Sequence, residues 1–189
     1  MSKLIDKEVE KSFKIVNDGG IILYPTDTIW GIGCDATKTA SVKKLFNIKN
    51  RSMDKPMLSL VSSIDMVEKY AEKQNDKIIS IINNFKKPTT VIFSNAKNIS
   101  PLLISKNNEV GFRITKNIFC KKLINLLGKP IVSTSANISN KPFPQSFADI
   151  DDQILSQVDY VVNLPVKKCN MIPSSIVKFK KNGEILNIR

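Results

Sequence analysis

Apolar and polar residues follow two rhythms along this chain, and the rhythms take turns. Val9, Phe13 and Val16 recur at helical spacing, with Leu4 or Ile5 ahead of them, and predict a helix over 4–17. Asn17, Asp18, Gly19 and Gly20 end it. The apolar run 21–24 reads as a buried strand, and Pro25 either stops its ladder or places it at an edge. Thr39 is positioned to cap a helix over 40–48, with Val42, Leu45, Phe46 and Ile48 on the inner side. A strand follows at 57–61, a helix at 64–70 opened by Ser62 or Ser63, a helix at 78–85, and a strand at 89–93 after Pro88. Residues 98–108 form a polar loop with a helical turn at 99–104. Next come a strand at 110–114, a helix at 119–127 stopped by Gly128, and a strand at 130–132. The remainder reads as a loop over 140–146, the end of a short helix over 153–158, and a strand at 160–164. A loop over 169–175, a strand at 176–179 and a hairpin turn at Lys181, Asn182 and Gly183 into 184–188 complete it. Helices and strands alternating in this way predict one α/β domain over 1–189, built on a mixed sheet, without a second domain, repeat or coiled coil.

The polar positions that break these rhythms cluster at strand ends, where α/β proteins collect ligands. Thr26, Asp27 and Thr28 place two hydroxyls and a carboxylate past the first strand, as ligand groups or as a capped turn. Gly31 and Gly33 permit close backbone approach. Lys49, Arg51 and Lys55 put three cations between a helix and a strand, as a phosphate clamp or as charges tolerated at a helix C-terminus. Arg113 sits inside a short apolar run, where an unpaired charge is costly, so it points into a polar cleft or alternates toward solvent. Ser133, Thr134, Ser135 and Asn137 follow the strand 130–132, as donors to phosphate or ribose oxygens or as a Ser/Thr/Asn turn. Pro142 and Pro144 mark a loop able to fold over a site.

Composition narrows the chemistry. An apolar fraction of 42% in 189 residues supports a globular core. No long apolar run or secretory leader is read, so a cytoplasmic protein is expected. Cys34, Cys120 and Cys169 are odd in number and widely spaced, so a disulfide framework or Cys-rich zinc site is not expected. Histidine is absent, which removes His-based triads and HExxH zinc sites. Neither a P-loop nor a dinucleotide-binding glycine fingerprint is present. The net charge of +12 suits a polyanionic ligand, nucleotide or RNA, or reflects a lysine-rich composition. Only Arg51, Arg113 and Arg189 among the 29 basic residues are arginine, which singles those three out.

Four segments in order, YPTDTIWGIGCDA (24–36), KNR with KPM (49–51 and 55–57), VGFRIT (110–115) and PIVSTSANISN (130–140), resemble the YrdC/Sua5 family in its short single-domain form. PSSIVK (173–178) resembles a later family segment, with Ser175 and Lys178 departing from the common residues. Thr115 also departs from a common proline. The resemblance implies an open, twisted α/β sheet with a positively charged concave face. It implies synthesis of L-threonylcarbamoyl-adenylate from L-threonine, bicarbonate or CO2, and ATP, with release of pyrophosphate. A partner transferase complex would then modify adenosine 37 of tRNAs, and tRNA itself is a candidate ligand. Mg2+ would arrive on ATP, with no metal site of the protein's own.

On that resemblance Lys49 and Arg51 are catalytic and hold phosphates, with Lys55 a further phosphate candidate. Ser135 and Asn137 bind the nucleotide, and Thr90 touches ATP. Thr28, Ser133 and Ser174 bind threonine, and Arg113 binds its carboxylate. Tyr24 and Trp30 are walls of the site, and the cysteines are core or incidental. The contrasting expectation is an RNA-binding module without catalysis. Few aromatics are free to stack on bases, which favours the enzyme.

Overall fold

In a computed structural model, residues 2–165, 173–180 and 183–189 are described. Cys169, most of the loop expected over 169–175, and Lys181 and Asn182 of the expected hairpin turn lie outside them. The helices are α1 (Ser2–Asn17), α2 (Thr39–Ile48), α3 (Ile64–Glu68), α4 (Asp76–Asn83), α5 (Ile118–Leu127) and α6 (Asp152–Leu155). Ten strands accompany them: β1 (Ile22–Pro25), β2 (Trp30–Gly33), β3 (Ser59–Val61), β4 (Thr89–Ser94), β5 (Glu109–Ile114), β6 (Ile131–Val132), β7 (Thr134–Ser135), β8 (Tyr160–Val161), β9 (Ser175–Phe179) and β10 (Ile185–Asn187). Single 3-10 turns sit at Pro101–Leu103 and Phe147–Asp149.

The strands form two sheets rather than the single one expected: a four-stranded sheet ordered β7-β2-β1-β8 and a six-stranded sheet ordered β10-β9-β4-β5-β3-β6. Both are mixed, with parallel pairs β1–β8, β3–β5 and β4–β9. The strands β2 and β7 were not expected. Two glycines in WGIG and a two-residue Thr-Ser strand carry almost no local β signal, so tertiary pairing decides them.

The chain passes from one sheet to the other at Ser133, between β6 and β7. Ser133 N–H donates to Leu58 O, and Val132 N–H to Cys34 O. Tyr24, fully buried, donates its hydroxyl to Val132 O at 3.1 Å. This corner requires glycine at 33: a Cβ there would stand 1.8 Å from Val132 O.

Alternation along the six-stranded sheet sorts its two faces. Val91, Phe93, Phe112 and Val177 enter the core, where Phe93 and Tyr70 both tilt against Phe112. Thr90, Ile92, Gly111, Arg113 and Ile176 face the other way, into a cleft. Helix α1 packs against α5. Gly128 ends α5 in the left-handed region at φ 68°, as its position predicts.

Several boundaries shift for local reasons. Lys38, not Thr39, precedes α2 as its N-cap, and it caps without a side-chain bond. Asp35 instead accepts from Thr37 N–H and Oγ1, turning the chain one residue before the helix. Ser63 caps α3, which stops at Glu68, and Asn75 caps α4, which therefore begins and ends earlier than expected. The strand expected over 57–61 pairs only from Ser59, and the one over 160–164 only at its first two residues. The short helix expected over 153–158 lies at Asp152–Leu155, opened by an Asp151 cap.

Candidate active site

A cleft of about 490 Å³ opens on the polar face of β4, β5 and β9, bounded by the turn between β1 and β2 and by the β6–β7 corner. Seven of the expected residues line it: Thr28, Arg51, Thr90, Arg113, Ser133, Ser135 and Ser174. Phe143, from the loop over 140–146, also lines it. Lys49, Lys55 and Asn137 do not. Tyr24 and Trp30 lie behind the wall rather than in it, Trp30 tilting against Phe147.

Hydroxyls organise one flank. Thr26 Oγ1 lies 3.0 Å from Thr28 Oγ1 and donates to Ile29 O, holding the turn after β1. Arg113 Nη1 donates weakly to Thr28 Oγ1 at 3.4 Å. Its Nη2 lies 3.2 Å from Asp27, and Arg113 is only 4% exposed. Asp27 thus supplies the partner that a buried guanidinium needs. Among the described residues the buried Arg113 Nε has no hydrogen-bond partner, so the side chain retains donor capacity. Thr90 Oγ1 and Ser174 Oγ lie 2.9 Å apart, joining β4 to the approach to β9.

Arg51 stands at the rim. Its Nε donates to Lys55 O at 2.7 Å and its Nη2 to Pro56 O at 3.3 Å, which fixes the guanidinium plane. Nη1 makes no hydrogen bond among the described residues. Lys55 therefore contributes its carbonyl here, while its side chain is exposed outside the cleft.

Lys49 departs most from expectation. Only 2% exposed, its Nζ donates to Ser135 O and Asn137 O at 2.5 Å each. Burial and, secondarily, the Arg51 charge pull the amine down to about 7. The folded form releases this proton near pH 7, whereas the unfolded chain keeps it to about pH 10.4. Stability from this group is therefore full above that upper value and declines as pH falls toward 7. Against Lys49→Met, the wild type should gain about 1 kcal/mol per pH unit between pH 7 and 8.5, measured by urea unfolding. Parallel pH curves for the two proteins would contradict it. Cys34 and Cys120 are buried free thiols pushed well up by desolvation, unsuited to nucleophilic work.

Arg189 is the residue whose role the sequence reading left open. It lines the cleft, pairs its backbone with Ile176 and donates Nη2 to Ser174 O at 3.2 Å. Its signal was the scarcity of arginine. All three arginines of the chain line this cleft, and among the described residues no lysine does. Glu109 is the only carboxylate among the lining residues described. Such a set suits a phosphorylated ligand beside a smaller zwitterion.

The family model for Sua5, YciO and YrdC proteins, described by the words telomere recombination, matches residues 14–189. A threonylcarbamoyl-AMP synthase of Pseudoalteromonas translucida is 32% identical, covering 88% of this chain and 90% of its own. One from Buchnera aphidicola is 35% identical over 67% of this chain and 74% of its own. P. abyssi Sua5, solved in complex with L-threonine, superposes with a TM-score of 0.86 at 21% identity and shares the fold. The match covers 96% of this chain but 53% of the Sua5 chain, so the present chain spans about half its length.

Proposed function

The chain belongs to the Sua5/YciO/YrdC family, and from this premise we infer that it is a threonylcarbamoyl-AMP synthase acting in tRNA modification. The reaction joins L-threonine, bicarbonate or CO2, and ATP into threonylcarbamoyl-adenylate and pyrophosphate. The observation that carries the reading is the convergence of Arg51, Arg113 and Arg189 with the hydroxyls of Thr28, Thr90, Ser133, Ser135 and Ser174 around one cleft.

The chemistry needs no protein nucleophile. Threonine's amine adds to CO2 and loses a proton to give a carbamate. A carbamate oxygen attacks the α-phosphorus of ATP, and the bond to the pyrophosphate leaving group breaks. Catalysis then consists of bringing two anions together and stabilising charge on phosphoryl oxygens. Arg51, with Nη1 uncommitted, is assigned to the triphosphate, and Arg189 is a second cation for it. Ser135 and Thr90 are assigned to the nucleotide. Arg113 is assigned to the threonine carboxylate, with Thr28, Ser133 and Ser174 around the amino acid. Asn137 Oδ1 is buried without a partner, while its Nδ2 holds Lys141 O and Ile138 O. Asn137 therefore supports the 140–146 loop beside the nucleotide rather than lining the cleft.

Mg2+ would come bound to the ATP phosphates and screen their charge. The product passes to a transferase acting on tRNA. The cytoplasm is the matching compartment, and among the described residues no helix is long and apolar enough to cross a membrane.

Incubation with ATP, labelled bicarbonate and L-threonine tests the activity. Pyrophosphate and labelled threonylcarbamoyl-adenylate should appear in equal amounts, and only when threonine is present. Pyrophosphate release independent of threonine would reject the assignment. Tight RNA binding without turnover would favour the binding-module reading.

A further inference from the structure

The Lys49 side chain ends on the protein's own backbone. Its two acceptors are Ser135 O, at the end of β7, and Asn137 O, in the turn that follows. A third bond runs the other way, from Ser139 N–H to Lys49 O at 2.8 Å. The C-terminal end of α2 is thereby tied at three points to 135–139. The same segment is held from its other side by β2, through Gly31 opposite Ser135 and Ala136 N–H donating to Trp30 O. Among the described residues no carboxylate pairs with the amine, and Lys49 does not line the cleft, whereas Arg51 and Ser135 both do.

We propose that Lys49 is a positioning residue that clasps the 135–139 turn to the end of α2, setting the Ser135 side chain opposite Arg51, and is not itself a phosphate ligand. The sequence places Lys49 and Arg51 two residues apart, yet the chain directs them to different tasks. Arg51 follows Asn50, whose positive φ of 48° swings the chain away from the helix axis. The lysine is left inside and the arginine reaches the rim. A primary amine suits the inner position: its compact head carries at least two N–H donors in either protonation state, and two carbonyls converge on it. The proposal rests on the reading of this cleft as a phosphate-binding site.

Two measurements separate the clasp from direct phosphate contact. The first is amide hydrogen exchange on the protein without ligand. Lys49→Met should accelerate exchange at Ala136, Asn137 and Ser139 at least 10-fold, with the amides of 42–46 in α2 unchanged. The second is calorimetric titration with inorganic tripolyphosphate, a probe that lacks the nucleoside. K49M should bind it within twofold of wild type, whereas R51A should bind it at least 10-fold more weakly. Unchanged exchange with tripolyphosphate affinity lost to the same degree as in R51A would overturn the proposal. If R51A binds tripolyphosphate like wild type, the phosphate-site reading fails, while the exchange result still judges the clasp. Should K49M not fold, K49L, which likewise removes the donors while filling the buried site, meets the same exchange and titration criteria.

Turnover gives an independent check. Because the lysine acts through Ser135, the K49M/S135A double variant should lose no more than about twofold beyond the worse single variant in kcat/KM. Multiplicative losses would count against it.

Discussion

Replacing Arg51 by alanine is expected to lower kcat/KM by about 10²- to 10³-fold, or roughly 3–4 kcal/mol of transition-state stabilisation, the range seen when one preorganised donor to a developing charge is removed. The geometry argues for an effect of this size. Arg51 is already oriented by the carbonyls of Lys55 and Pro56, so its placement requires little reorganisation during the reaction. Burial also pulls it below its ordinary value, a sign of partial desolvation that strengthens its field at the phosphates. The fold should survive, because the backbone bond from Arg51 N–H to Phe46 O remains. R51K should recover part of the loss, since lysine supplies charge without the planar fork. Kinetics under saturating threonine, alongside a thermal melt unchanged within a few degrees, checks this. An R51A enzyme with wild-type kcat/KM would remove Arg51 from the mechanism.

The second large effect concerns folding. Gly33→Ala should destabilise the protein by more than about 3 kcal/mol, beyond the usual cost of overpacking. The new Cβ would meet a backbone oxygen, Val132 O at 1.8 Å, and no rotamer change can relieve that. Val132 is held by its N–H bond to Cys34 O, and its carbonyl accepts from Tyr24. Relief would therefore push β6 outward and carry Ser133 with it, so the cleft should suffer as well. At about 2–4 °C per kcal/mol for a chain of this size, the melting temperature should fall by at least about 6 °C. Gly31→Ala is the informative contrast. There the nearest atom is the side-chain methyl of Thr26 at 2.8 Å, which can shift, so the stability loss should be smaller. Equal melting temperatures for G33A and wild type would show that the two sheets do not meet at this corner.

The sequence made some of this legible and hid the rest for physical reasons. Helix α5 was readable because its apolar positions recur at the right spacing and Gly128 supplies the left-handed stop. The strand-end hydroxyls at Thr28, Ser133 and Ser135 do line the cleft, but their pattern alone fits a Ser/Thr/Asn turn equally well, and the ordered family segments were what singled them out. Burial of Lys49 was not legible. Two residues of separation place Lys49 and Arg51 close together in sequence, but the positive φ at Asn50 sends them apart, and Asn at that position gives only a faint signal. The pairing of β7 with β2 was equally hidden, since a two-residue strand depends on a partner about 100 residues away. Arg189 could have been found. The argument from rare arginine applied to it as fully as to Arg51 and Arg113, and only its distance from the other motifs kept it out.

Arg51 and Arg113 are assigned to a nucleotide and an amino acid lying side by side in one cleft. A crystal structure with a non-hydrolysable ATP analogue and L-threonine tests this most directly. A phosphate oxygen should lie within hydrogen-bond distance of Arg51, the threonine carboxylate at Arg113, and Ser135 against the nucleotide. A nucleotide bound on another face, with only solvent between Arg51 and Ser135, would contradict it.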